Sequence, residues 1–288
     1  GTVTTVRSQP RVPRGTKSGF VTTADNVRIH YLEAKPKSLG RGPAILFVPG
    51  LMTPGWIWEH QLAHFAKKYR TIAIDPRSQG LSSKPAEGHY PAARARDIKS
   101  VVDQLQLGPV VIVAATSAVT EVISYVDQFG TQRVAGLVLV NGIAGRDYDK
   151  ETMSGLLAYA QGFQVDRRRA TERFVRGLYR KAQHEAYLKR MIEATMRMPT
   201  DSAVALIVGG LTSDNRQALA KVDKPTLIVV AEFGPWMSFY KDMHGRIRGA
   251  QMEVLDNVGH ALFVDDPARF NRLLDTFLET LAVSAVLR

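Results

Sequence analysis

The chain lacks cysteine altogether, which excludes disulfides, thiolate nucleophiles and cysteine-bound metals. It also lacks any apolar run of the roughly 18 residues that a membrane-spanning helix requires. We therefore expect a soluble protein without a membrane span, with a cytoplasmic or an exported location left open. Low-complexity segments and internal repeats are missing too. With 288 residues, 45% of them hydrophobic, the chain is long enough for one large domain that carries an insertion.

Acidic residues are scarce relative to basic ones, since 27 Asp and Glu stand against 38 Lys and Arg and the net charge is +11. Such a surplus can attract nucleic acid or acidic lipid. The basic residues are spread along the chain, however, and no motif interleaves them with aromatic residues. We expect a small apolar substrate rather than a nucleic acid as the partner. The oligomeric state, monomer or dimer, is not indicated.

Short apolar runs alternate with helical patterns over most of the chain. A polar, basic stretch, residues 1–18, is interpreted as a flexible arm, and a turn at Ala24-Asp25-Asn26 indicates a hairpin. This alternation predicts an α/β fold with a mostly parallel, eight-stranded sheet flanked by helices. Six further runs predict strands: Ala44–Val48, Thr71–Ile74, Val110–Val113, Leu137–Val140, Pro225–Val230 and Gln251–Leu255.

The alternation stops in residues 146–220, which carry only helical patterns and many charges. We interpret this segment as a helical cap inserted into a core formed by residues 19–145 and 221–288. Ligands of parallel sheets bind beyond the carboxyl ends of the strands. Four loops should therefore converge on one site: those after Val48, Val113, Val230 and Leu255.

Several motifs resemble landmarks of the α/β-hydrolase superfamily. They are Pro49-Gly50 followed by Trp56, the loop Asp75–Ser82 with the sequence DPRSQGLS, and Val258-Gly259-His260 before Asp266-Pro267. Glu121-Val122 with Tyr125 is similar to the non-haem haloperoxidase and esterase branch. The resemblance implies the α/β-hydrolase fold with a cap, but it indicates little about the substrate, because this fold hosts many reactions.

The nucleophile position lies where the strand ending at Val113 turns into a helix. Superfamily members place a serine there, in a Gly-x-Ser-x-Gly elbow. In this chain Ala114 and Ala118 stand at the glycine positions and Thr116 at the serine position. Small flanking residues favour Thr116 at the tip, and Ser117 is the alternative register. The elbow residue of the superfamily normally has a left-handed φ. This backbone conformation is unfavourable by roughly 1–3 kcal/mol for a β-branched residue such as Thr116.

The base and the acid are assigned from the same resemblance. His260 holds the position of the base that takes the proton of the hydroxyl. Gly234 falls at the usual acid position, so Glu232, two residues earlier, is the candidate acid, and a site without an acid is the alternative. Asn141, at a second possible acid position, can orient a histidine without carrying charge. His60 and His64 have no Glu between them in a zincin pattern, and we expect neither a metal nor a cofactor.

The resemblance places an oxyanion hole at the backbone N–H groups of Leu51 and Ser117. We hypothesise a hydrolase of small to medium apolar carboxylic esters or lactones. Because the elbow and acid positions are altered, two alternatives stay open: a catalytically eroded pseudoenzyme that binds a ligand, and a non-hydrolytic, cofactor-free reaction on the same scaffold. The residues expected to line an apolar substrate pocket are Met52, Trp56, Trp236, Met237 and Phe263.

Overall fold

One sheet of eight strands forms the centre of the molecule in the computed structural model, which describes residues 12–286. The strands are β1 (Lys17–Thr22), β2 (Arg28–Ala34), β3 (Ala44–Val48), β4 (Thr71–Ile74), β5 (Val110–Ala115), β6 (Val134–Val140), β7 (Thr226–Ala231) and β8 (Gln251–Leu255). Their order in the sheet is β1-β2-β4-β3-β5-β6-β7-β8. The pairs β1–β2 and β2–β4 are antiparallel and the other neighbours are parallel. The predicted eight-stranded, mostly parallel sheet is confirmed.

Ten α-helices lie within the described residues. Six belong to the predicted core: α1 (Glu59–Phe65), α2 (Pro91–Gln104), α3 (Ala118–Phe129), α8 (Gly234–Arg246), α9 (Leu262–Asp265) and α10 (Pro267–Val286). Four follow one another in the insertion: α4 (Lys150–Val165), α5 (Arg167–Gly177), α6 (Glu185–Met196) and α7 (Thr200–Thr212). None of the helices between residues 12 and 286 is long and apolar enough to cross a membrane.

β5 shows why the central strands form where they do. Every residue of its sequence VVIVAA is buried, because helices cover both faces of the sheet. Side chains of a strand alternate between the faces. Ile112 and Ala114 therefore pack with α2 and α3, whereas Val111 and Val113 pack with α1, α9 and α10. A run of β-branched residues satisfies both layers at once.

The insertion contacts the core through an apolar cluster that is separate from those on the two faces of the sheet. Met52, in the loop after β3, packs against Phe163 of α4 and against Met198, and all three side chains are fully buried. The division into arm, core and cap stays a prediction. Most of the expected arm lies outside the described residues, but Lys17 and Ser18, assigned to it, already belong to β1.

A buried polar network joins the loop after β4 to α2. Arg77 is 3% exposed and forms an ion pair with Asp97 at 2.6 Å. Beside it, His89 Nε2 lies 2.8 Å from Ser78 Oγ. Burial, and then the positive charges of Arg94 and Arg77, lower the pKa of His89 to about 4. The folded protein therefore holds His89 neutral at pH values at which the unfolded chain protonates it.

His89 should make stability sensitive to acid. Its pKa is lower in the folded than in the unfolded state, so its contribution is complete above about pH 6.5 and is lost as the pH falls towards 4. Between pH 7 and 5 the loss should be at most about 2 kcal/mol. We expect His89→Gln to reduce the pH dependence of the unfolding free energy in urea titrations, whereas exposed His184→Gln should not. Equal slopes for wild type and His89→Gln would contradict this assignment.

Candidate active site

The junction of β5 and α3 forms a sharp bend with Thr116 at its tip. Thr116 has φ 53°, whereas Ser117 has helical angles of −61° and −22°. The left-handed residue is therefore Thr116, at the position that the sequence assigns to the elbow. The flanking Ala114 and Ala118 are both fully buried, so small side chains occupy the interior of the bend.

Two glycines approach the bend closely. A Cβ atom at Gly50 would lie 2.0 Å from Thr116 Oγ1, and one at Gly142 would lie 2.2 Å from the carbonyl oxygen of Thr116. The loops after β3 and β6 can pass this near only because both positions lack a side chain. The backbone also fixes the bend, since Thr116 N–H donates to Val140 O at 2.7 Å.

A cavity of about 280 Å³ opens beside this bend. Thr116, Ser117 and His260 all line it, as does Leu51 from the loop after β3. A much smaller cavity, about 30 Å³, also touches Thr116 and His260. The structure thus brings together both candidate hydroxyls, the imidazole and the residues of the expected oxyanion hole. The apolar wall of the larger cavity includes Ile143, Leu156, Leu206, Ile207, Leu211 and Trp236.

The imidazole of His260 keeps accessible surface, and this side chain lies at both cavities. No described residue forms a hydrogen bond with the ring, and burial among the surrounding protein atoms lowers the pKa of His260 to about 4. The ring is therefore neutral at pH 7, which is the state that a general base requires. Neither the Thr116 hydroxyl nor the Ser117 hydroxyl forms a hydrogen bond with the ring in the described part of the chain.

The structure does not bring Glu232, the expected acid, to His260. Glu232 is exposed directly after β7, and its backbone N–H donates to Leu255 O at 2.8 Å. Its carboxylate makes no hydrogen bond to any described residue. Gly234 is exposed as well, at the first position of α8, with open space where a Cβ would project. The part of the chain that the structure describes thus places no carboxylate against the imidazole.

Asn141 holds the histidine loop instead, through the backbone. It has φ 48° at the end of β6, and its Nδ2 donates to His260 O at 2.7 Å. Its Oδ1 accepts the Ala231 N–H at 2.7 Å. The side chain therefore joins the ends of β6 and β7 to the loop that carries His260. Its contact with His260 is to the peptide oxygen and not to the imidazole ring.

The insertion holds the same loop from the other side. Asp265 accepts hydrogen bonds from the N–H groups of Gly259 at 2.7 Å and Arg180 at 2.8 Å. Ala261 N–H donates to Leu178 O at 2.8 Å. The position of His260 is therefore set jointly by the sheet and by the connection between α5 and α6.

The oxyanion loop depends on a buried chain of polar side chains that the sequence analysis missed. Gln79 donates through Nε2 to Gly50 O at 3.0 Å and to Thr53 O at 2.7 Å. Arg94 donates to Gln79 Oε1 at 2.5 Å and to Glu121 at 2.8 Å. This chain fixes the peptide whose N–H belongs to Leu51. A sequence signal existed, because Gln79 lies within DPRSQGLS and Arg94 lies on the apolar side of α2.

Three of the five expected pocket residues line neither cavity. Met52 is fully buried in the apolar cluster with Phe163, Trp56 is covered by the Arg190 guanidinium at 3.7 Å, and Met237 packs against the core. Of the other two, Trp236 lines the larger cavity and Phe263 the smaller one.

The sequence and the fold agree on the family. The profile of the alpha/beta hydrolase family matches residues 45–273. The chain belongs to this family. This α/β hydrolase is 24% identical over 274 residues to AB hydrolase superfamily protein YisY of Bacillus subtilis. The alignment covers 86% of this chain and 98% of that protein. It is 36% identical over 127 residues to a non-heme chloroperoxidase of Burkholderia pyrrocinia. That alignment covers 43% of this chain and 45% of the chloroperoxidase.

A solved structure shows the same fold. An esterase from Exiguobacterium antarcticum superposes with a TM-score of 0.83 at 21% identity, covering 91% of this α/β hydrolase and all of the esterase. The predicted resemblance to the haloperoxidase and esterase branch is confirmed. The protein is thus an α/β hydrolase by family and by fold.

The Asn141→Asp variant tests the hydrogen bond by which Asn141 holds the loop that carries His260. A carboxylate cannot donate to His260 O, so one hydrogen bond is replaced by repulsion between two oxygens. We expect the free energy of unfolding at pH 7 to fall by about 1–3 kcal/mol. Asn257→Asp makes the same chemical change at an exposed position of the same loop and serves as the control. Equal stability of the two variants in chemical denaturation would contradict the role given to Asn141.

Proposed function

We propose that this α/β hydrolase cleaves small to medium apolar carboxylic esters or lactones, with Thr116 as the nucleophile and His260 as the base. One observation carries the proposal: the elbow hydroxyl, a neutral imidazole and the two candidate oxyanion-hole residues line a single cavity of about 280 Å³. These are the groups that acyl transfer requires.

The proposed reaction requires the His260 ring to approach Thr116 Oγ1 when the substrate binds. His260 takes the proton of Thr116 Oγ1 as this oxygen attacks the carbonyl carbon of the substrate. The negative charge that develops on the carbonyl oxygen is stabilised by the N–H groups of Leu51 and Ser117 and by the N-terminal end of α3. His260 then gives the proton to the leaving alkoxide. A water molecule, deprotonated by His260, hydrolyses the acyl-threonine and restores the hydroxyl.

The cavity wall supports an apolar acyl or lactone group. Aliphatic side chains from α4 and α7 and the ring of Trp236 line it. Its charged members, Arg94 and Glu121, form a buried ion pair at 2.8 Å and so neutralise each other. A substrate with a net charge would find no unpaired opposite charge among the lining residues. The small size of the cavity favours short chains.

A ligand-binding protein without turnover is the second candidate. It is favoured by the His260 ring, which has no described carboxylate or hydroxyl partner. In serine proteases, replacing the acid by an amide lowers kcat by about 10⁴-fold, because the imidazole is held in the wrong tautomer. Turnover by this site should accordingly be slow.

Loss-of-function variants decide between the two candidates. We expect His260→Ala and Thr116→Ala each to lower kcat/KM for p-nitrophenyl butyrate by at least about 100-fold, because each removes a group needed for acyl transfer. Ser124→Ala is the control, since Ser124 is buried on α3 but lies outside the cavity. If both variants keep the wild-type rate, neither Thr116 nor His260 takes part in the hydrolysis. If the wild type binds the ester without cleaving it, the protein is not an esterase.

The pH dependence of kcat/KM provides a separate test of the base. His260 acts in its neutral form, and its pKa of about 4 means that the neutral form persists well below pH 6.5. Activity should therefore stay constant from pH 7 to about 5 and fall as the pH approaches 4. The range is limited to pH values at which circular dichroism shows the native protein. A decline centred near pH 6.5 would contradict the low pKa of His260.

A further inference from the structure

One donor of the expected oxyanion hole already has a partner within the protein. The N–H of Leu51 donates to Ser117 Oγ at 2.9 Å. Both residues line the cavity, and Ser117 is exposed there. The hydroxyl oxygen thus lies against the N–H group that the proposed reaction assigns to the carbonyl oxygen of the substrate.

The Ser117 hydroxyl does not cap α3. Serine at the position before a helix usually accepts a hydrogen bond from a backbone N–H of the first turn. Ser117 precedes α3, but its helical φ and ψ leave it without such a bond. The hydroxyl is directed across the cavity wall to the loop after β3 instead. Its removal should therefore leave α3 largely unaffected.

The contact joins two rigidly held segments. Leu51 belongs to the loop whose carbonyl groups Gln79 fixes, and Ser117 follows the left-handed Thr116. The serine side chain itself can rotate between staggered rotamers without moving the backbone. The Leu51 N–H can therefore be released by one bond rotation.

We propose that the Ser117 hydroxyl occupies the oxyanion hole of the free protein and competes with the ligand oxygen for the Leu51 N–H. This inference rests on the proposed function, since it concerns the same site. An oxygen atom of the ligand must displace the hydroxyl from the Leu51 N–H. For a neutral ester carbonyl the exchange replaces one neutral hydrogen bond by another, so it adds little to the free energy of binding. A carboxylate oxygen gains more, because hydrogen bonds to charged acceptors are stronger. A small carboxylate, a product of ester hydrolysis, is therefore the ligand whose binding should respond most strongly to release of the Leu51 N–H.

Ser117→Ala tests the competition. The variant frees the Leu51 N–H, so we expect butyrate to bind about two- to tenfold more tightly in calorimetry, and kcat/KM for p-nitrophenyl butyrate to rise by a similar factor. Ser124→Ala, which removes a hydroxyl elsewhere on α3, should change neither quantity.

The outcomes separate this inference from the proposed function. Butyrate binding requires no turnover, so tighter binding to Ser117→Ala supports the inference even in a protein that hydrolyses nothing. Unchanged binding, weaker binding or no binding of butyrate to Ser117→Ala overturns it. Loss of esterase activity in Ser117→Ala also overturns it, because the hydroxyl would then be a nucleophile or a needed donor. In that case hydrolysis by the wild type would still stand.

Discussion

The left-handed backbone of Thr116 is the constraint on which the rest of the site depends. It allows β5 to continue into α3 with one residue at the tip, which places a hydroxyl and the first N–H groups of the helix at the same cavity. A β-branched residue with positive φ is unfavourable by roughly 1–3 kcal/mol. The bend is maintained by its surroundings, namely the hydrogen bond to Val140 and the close approach of Gly50 and Gly142.

The fold could be predicted because its signals are local. The central strands β3 and β5 are short apolar runs buried on both faces, and residues with helical spacing lie between such runs. The register of the elbow was also predictable, since only Thr116 has small residues two positions away on both sides. The structure places the positive φ at that residue. Side-chain volume at Ala114 and Ala118 was a sufficient guide.

The contents of the cavity could not be predicted in the same way. An apolar residue near the site can pack into the core or line a cavity, and the sequence does not distinguish the two. Met52 packs between the insertion and the core, whereas Leu206 and Ile207, far away in sequence, line the cavity. Glu232 is displaced for a related reason, because a shift of two residues after β7 leaves the carboxylate in solvent.

Asp265 gives the insertion and the histidine turn a common anchor. One carboxylate accepts N–H groups from Gly259, next to His260, and from Arg180 and Lys181 at the start of the connection to α6. A displacement of that connection therefore also displaces the turn that carries His260, unless these hydrogen bonds break. The same connection supplies Leu178 to the wall of the smaller cavity, so the shape of that wall and the alignment of the imidazole depend on one carboxylate.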